Sequence, residues 1–145
     1  MKVTILEKKE DEESEIIIKC DYLDENLTKL INQFKNVKGK LNLYKDEKIV
    51  FVESDEVLYF ESVDDTVFAY TKDCVYETKS KLYQLENDLP ANTFFRANKA
   101  VIVNLDKIDS LTPVFGGRFE AMLQNGYKVI ISRNYLNTLK ELLGL

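Results

Sequence analysis

Residues Phe94 to Asn104, FFRANKAVIVN, constrain the fold more than any other stretch of the chain. Two adjacent aromatics come first. Arg96, Asn98 and Lys99 follow, all hydrogen-bond donors, and then Val101, Ile102 and Val103, a β-branched run that favours strand. A strand alone needs no donors clustered at its start, and a surface loop needs no Val-Ile-Val. The combination predicts a donor-bearing loop or strand start anchored to a buried strand. Arg and Lys can bond guanine O6 and N7, Asn can bond adenine N6 and N7, and all three can meet phosphate. Bland roles stand beside these: Arg96 as a structural ion pair, Lys99 as solvated surface. Phe94 and Phe95 are expected in the core, because no RNP-type aromatic pattern accompanies them.

The remaining chain reads as mostly β with short helices, an α+β class. Val3–Glu7 and Glu15–Cys20 are short apolar runs across a charged turn and predict a hairpin. Asp24 is placed to cap a helix from Glu25 to Lys35, with Leu27, Leu30, Ile31 and Phe34 as its apolar stripe. This β-β-α unit, residues 1–40, is too small to stand alone, and Val37–Lys40 is the linker candidate. Strands are expected at 41–44, 49–52, 57–61, 67–71 and 74–78, then a helix over 80–89 stopped by Pro90. Further strands fall at 108–113, 119–123 and 129–132, with Gly116-Gly117 and Asn125-Gly126 at hairpin turns. A last helix, 134–143, begins with Asn134 as N-cap.

Charge is divided along the chain. The net charge is −5, yet residues 91–145 carry seven basic and four acidic side chains, and hold every arginine. Residues 41–90 carry five basic against twelve acidic. A local basic face can bind phosphate on a molecule that is acidic overall, while the acidic remainder weakens non-specific binding. There is no histidine, no Walker or GxGxxG motif, and no serine or cysteine beside an obvious base. No enzymatic activity, cofactor, metal or small-molecule substrate is expected. Asp64-Asp65 is read as a turn. Cys20 and Cys74 lack CxxC spacing and are expected as buried free thiols. The N-terminus turns acidic before a signal-peptide core forms, so the expected compartment is the cytoplasm.

Residues 41–145 resemble the LytTR DNA-binding domain family of bacterial transcription regulators. The resemblance rests on VFVESDEVLYFES, on KLYQLENDLP, similar to L-x-x-L-E-x-x-L-P, and on FFRANKAVIVN, similar to F-x-R-x-H-(R/K)-S-(F/Y)-(I/V)-V-N. NLDKID and the closing GYKVIISRNYLNTLKELLG complete it in order. Asn98 stands in place of the frequent His, Ala100 of Ser and Val101 of an aromatic.

The resemblance implies an elongated β fold that reads double-stranded DNA at promoter repeats, through loops entering successive major grooves. Carried over by motif, Lys99 and Arg133 are the principal contacts, Asn134 a second candidate beside Arg133, and Asn98 and Arg96 part of the same donor group. The loop at Asp64 to Thr66 matches a third contact region, with Thr66 its candidate residue. About forty residues precede the match, fewer than a receiver domain needs. Residues 1–40 are therefore expected to serve as a homodimer contact or docking surface, and a small membrane-bound inhibitor is a partner the resemblance suggests. The competing expectation is a protein-interaction module that has lost DNA binding.

Overall fold

The computed structural model describes residues 2–36 and 40–145. Its described residues form helix α1 (Glu25–Asn36), then strands β1 (Lys40–Lys45), β2 (Lys48–Glu53), β3 (Val57–Val63), β4 (Thr66–Thr71) and β5 (Val75–Thr78). Helix α2 (Leu82–Asp88) leads to β6 (Phe94–Asn98) and β7 (Val101–Asn104). Strands β8 (Ile108–Val114), β9 (Arg118–Leu123) and β10 (Lys128–Ile131) precede helix α3 (Arg133–Leu143). The first seven strands make one antiparallel sheet in the order β2-β1-β5-β4-β3-β7-β6, and the last three a second sheet, β10-β9-β8.

The long sheet is covered on both faces over its β3–β7–β6 half. On one face Val57, Phe60 and Ile102 pack with Phe94 and with Leu82, Leu85 and Leu89 from α2 and its C-terminal end. On the other, Tyr59, Phe95, Ala97 and Val103 meet Ala121, Leu123, Val129 and Ile131 of the short sheet and Leu139 of α3. This explains the unbroken apolar runs Val57–Phe60 and Val101–Val103: a strand buried on both sides has no polar face to alternate with. Phe94 and Phe95 point into opposite cores, so the paired aromatics follow from strand periodicity.

Local chemistry sets the breaks. Asp24 Oδ1 accepts from Leu27 N at 2.7 Å and starts α1. Gln84 Oε1 accepts from Lys81 N at 2.7 Å at the head of α2, and Leu89, before Pro90, is already extended. Gly144 at φ 70 closes α3 with Leu145 N donating to Lys140 O at 2.8 Å. The two-residue turns at Asp46-Glu47 and Asp64-Asp65 place all four residues at positive φ, the backbone that a tight hairpin requires.

The N-terminal expectation is corrected. Val3–Glu7 and Glu15–Cys20 form no strand; both segments are exposed, though the chain does turn at Lys9–Glu12, where Glu12 N donates to Lys9 O at 3.1 Å. A lone two-stranded hairpin with no core to cover is marginal in water. Cys20 is consequently exposed and Cys74 half-buried, both free, against the expected burial. The α1 stripe is half-buried at Leu27, Leu30 and Ile31, and α1 lies against α2; the Phe34 side chain and linker residues 37–39 lie outside what is described. The last helix starts one residue early, so the N-cap position belongs to Ser132 and Asn134 is the second helical residue.

Three tyrosines join the sheets at their interface. Tyr59 of β3 stacks on Tyr70 of β4 at 4.3 Å and on Tyr127, from the β9–β10 turn, at 4.5 Å. Glu61 receives long hydrogen bonds of 3.4 Å from the Tyr70 and Tyr127 hydroxyls. Burial first, and the Glu61 carboxylate among the neighbouring charges, push the pKa of all three phenols upward. The unfolded chain therefore ionises them first as pH rises. The stability they contribute is intact below about pH 10 and is lost as pH climbs through the folded values. Thermal melts of wild type between pH 8 and 11 should show a falling Tm, and Tyr59→Phe should flatten that fall; an unchanged slope would remove the stack from the account.

Candidate nucleic-acid interface

Four chain segments meet at one end of the two sheets. The β3–β4 turn and the β6–β7 turn are neighbours, because β3 pairs with β7 through Glu61 and Val101 and Ser62 N donates to Ala100 O at 2.8 Å. Adjacent hairpins set these turns about 10 Å apart, two strand spacings. The β10–α3 junction joins them through Ser132 N, which donates to Ala97 O at 2.9 Å. The β8–β9 turn follows, since Phe119 of β9 pairs with Ile131 at the end of β10. The groups around 96–99 and 133–134, distant in sequence, thus share one edge.

Arg96 works within the fold. It pairs with Glu86 of α2, and its Nε and Nη2 donate to the carbonyls of Asn98 at 2.7 Å and Lys99 at 2.6 Å. Three of its nitrogens are engaged, and its side chain is only 18% exposed. Asn98 follows a bulge in β6: the register with β7 shifts between Arg96 and Asn98, and Asn98 pairs with Val101. Its Nδ2 donates to Ile130 O at 2.7 Å and its Oδ1 accepts from Ala100 N at 2.9 Å. One amide thereby shapes the β6–β7 turn and ties it to the short sheet. The structural alternative for Arg96 is realised, and Asn98 is equally committed.

Lys99, at the apex of that turn, is exposed, and its ammonium has no partner among the described residues. Arg133 and Asn134 are exposed on the first turn of α3. The helix N-terminus there offers unpaired backbone N–H groups and a partial positive charge, which favour an anion. Thr66 is half-buried, one residue past the exposed Asp64-Asp65 pair. A shallow cavity of about 430 Å³ brings Asp65, Lys81, Arg96 and Lys99 together. Lys81 Nζ donates to Asp65 O at 2.8 Å and so fixes the β3–β4 turn against α2.

Lys81, Phe115 and Arg118 were not among the sequence candidates. The signal for the latter two was present: Gly116-Gly117 marks a hairpin, and strand parity carries its turn to the end where β10 finishes. Among the described residues no group of His, Cys, Asp and Glu could hold a metal ion, and no helix is long and apolar enough to cross a membrane.

A β platform that carries amide and basic side chains on turns at one end has the chemistry of a nucleic-acid-binding scaffold. The profile of the LytTr DNA-binding domain matches residues 47–144, and the chain belongs to that family. It is 34% identical over 106 residues to the sensory transduction protein LytT of Bacillus cereus, a match covering 73% of this chain and 43% of that protein. The chain therefore spans less than half of LytT. An uncharacterised HTH-type transcriptional regulator of Staphylococcus aureus is 29% identical over 147 residues and aligned over 100% of this chain and 99% of its own. A solved LytTr DNA-binding domain from Bacillus cereus superposes with a TM-score of 0.71 at 26% identity, over 74% of this chain and 99% of that one. The described residues place no two helices in succession, so the edge is built without a helix-turn-helix.

Asn98→Ala should lower stability by about 1–3 kcal/mol in urea unfolding, because it strands Ile130 O and Ala100 N without partners. A neutral substitution would show that the amide does not hold the sheets together.

Proposed function

We propose that the chain is a sequence-specific transcription regulator that reads the major groove of promoter DNA through its turns. The observation that carries this is the convergence of Lys99 and Arg133, both exposed, on one end of a platform held by Asn98 and Ser132. Lys99 and Arg133 are the principal contacts, with Asn134 beside Arg133. Arg96 and Asn98 act from behind, keeping the Lys99 turn in shape. Thr66 lies at the margin, where Asp64 and Asp65 keep phosphate at a distance.

Paired promoter repeats call for two copies, and the reading assigns the contact to residues 1–40. Ile5, Leu6 and Ile16 are 91%, 84% and 66% exposed there, apolar surface that association would cover. The compartment is the bacterial cytoplasm, and a membrane-bound inhibitor remains a partner of the same reading. A second reading, an interaction module without DNA binding, draws on Ile49 and Phe51, which edge strand β2 exposes at 57% and 65%.

A gel shift with the upstream region of the chain's own operon separates the two. Arg133→Ala should weaken binding by roughly 5- to 150-fold, the range for losing a base contact. Lys99→Ala should flatten the slope of log K against log salt by about one unit if it meets phosphate. Wild-type affinity and slope in both variants would overturn the assignment.

A further inference from the structure

The β8–β9 turn places the side chain of Phe115 at its tip, 94% exposed. A single exposed apolar side chain is ordinary on a protein surface and needs no explanation. Position is what distinguishes this one. A hairpin of this kind needs glycine at its turn, supplied by Gly116 and Gly117 at φ 87 and 73; it does not need phenylalanine beside them. The turn is also held in place: Arg118 Nε donates to Phe115 O at 3.2 Å. And it abuts the strongest candidate contact of the chain, for a Cβ built on Gly117 would stand 2.9 Å from Cδ of Arg133. Gly117 is thus the space in which the Arg133 stem lies.

We propose that this turn is a reading element in its own right: Phe115 makes the apolar contact in the groove that Arg133 enters, against thymine 5-methyl groups, and Gly117 positions Arg133 by leaving room for it. The inference rests on the DNA-binding reading above. The chemistry is that of the major groove, where thymine alone presents a methyl group and an apolar side chain recognises it by excluding water. Arginine supplies the polar contact and phenylalanine the apolar one, so the pair discriminates more base steps than either alone. Arg118, exposed beside them, adds positive charge facing the phosphates.

The test uses the full chain and the fragment of its own upstream region that wild type shifts, prepared with thymine or with uracil throughout. Wild type should bind the uracil fragment about fourfold more weakly for each methyl covered, the size of one buried CH2. Phe115→Ala should show that loss on thymine DNA and no further loss on uracil DNA. Losses from uracil and from Phe115→Ala that simply add, or no loss in the variant, would overturn the methyl contact. Because Phe115 touches little of the fold, the variant should melt as wild type does.

Gly116→Ala and Gly117→Ala impose similar backbone strain, yet a Cβ on Gly116 meets only Arg118 Nε, at 3.7 Å. Gly117→Ala should therefore weaken binding more than Gly116→Ala, and the difference should vanish in an Arg133→Ala background. Equal effects of the two would overturn the positioning role. Losses in Lys99→Ala and Arg133→Ala with none in Phe115→Ala would sink this inference and leave the DNA-binding reading standing; a wild-type chain that shifts no fragment would sink both.

Discussion

The side-chain amide of Asn98 is the join on which the edge depends. The bulge in β6 falls at Ala97, just before this residue, which pairs with Val101; its two polar ends reach in different directions, one into its own turn and one to Ile130 O on the other sheet. Together with the backbone bond from Ser132 N to Ala97 O, it sets the height of the β6–β7 turn relative to the start of α3. Sheets packed only by apolar contact can slide by small steps at little cost. Directional bonds at the rim remove that freedom, and the turns are rigid relative to one another because of it. The tyrosine stack also ties the two sheets, through Tyr127 lying on Tyr59.

Electrostatics at the edge is local. Arg96 adds little net charge to the surface, because Glu86 neutralises it. Lys81 is turned toward a carbonyl. Among the described residues, the positive charge at this end without a carboxylate partner lies on Lys81, Lys99, Arg118 and Arg133, while Asp64 and Asp65 stand at the margin of the same end. Such an edge attracts phosphate over a narrow strip only. On a chain of net charge −5, bulk attraction to DNA is weak, so the proposed binding depends on correct short-range contacts, which favour specific over non-specific sites.

Most of the β architecture was legible because its signals are local. Alternation, β-branched runs and the turn pairs Asp64-Asp65 and Gly116-Gly117 mark the strands, and Pro90 marks the end of α2. The N-terminal segments were misread for the same reason: Val3–Glu7 and Glu15–Cys20 have strand composition, but composition supplies no partner and no core. Asn134 is a good capping residue by type, yet the chain enters α3 one residue earlier, at Arg133. Lys99 is a candidate from its donor cluster and, with Arg133, from the resemblance. Whether Arg96 faced solvent or its neighbours could not be read from the chain, since Glu86 lies on another element. Phe115 went unnoticed because a loop phenylalanine has no pattern of its own, and its place follows only when the Gly116-Gly117 hairpin is combined with the course of β9 and β10.

Building such an edge from turns has a consequence for how it evolves. A recognition helix presents its side chains at fixed spacing, so changing one reading position leaves the others where they were. Here each exposed residue is held by a different support: Lys99 by Arg96 and Asn98, Arg133 by Ser132 and the gap at Gly117. The tips can vary freely as long as those supports stay. Lys99 fits this, exposed and unbonded on a turn whose neighbours are all engaged, and so does Phe115, whose carbonyl is held while its ring is free. On the proposed reading, specificity shifts by single substitutions at the tips, whereas a change at a support, Asn98 or Gly117, alters the geometry of the tip it holds and the strength of binding as a whole.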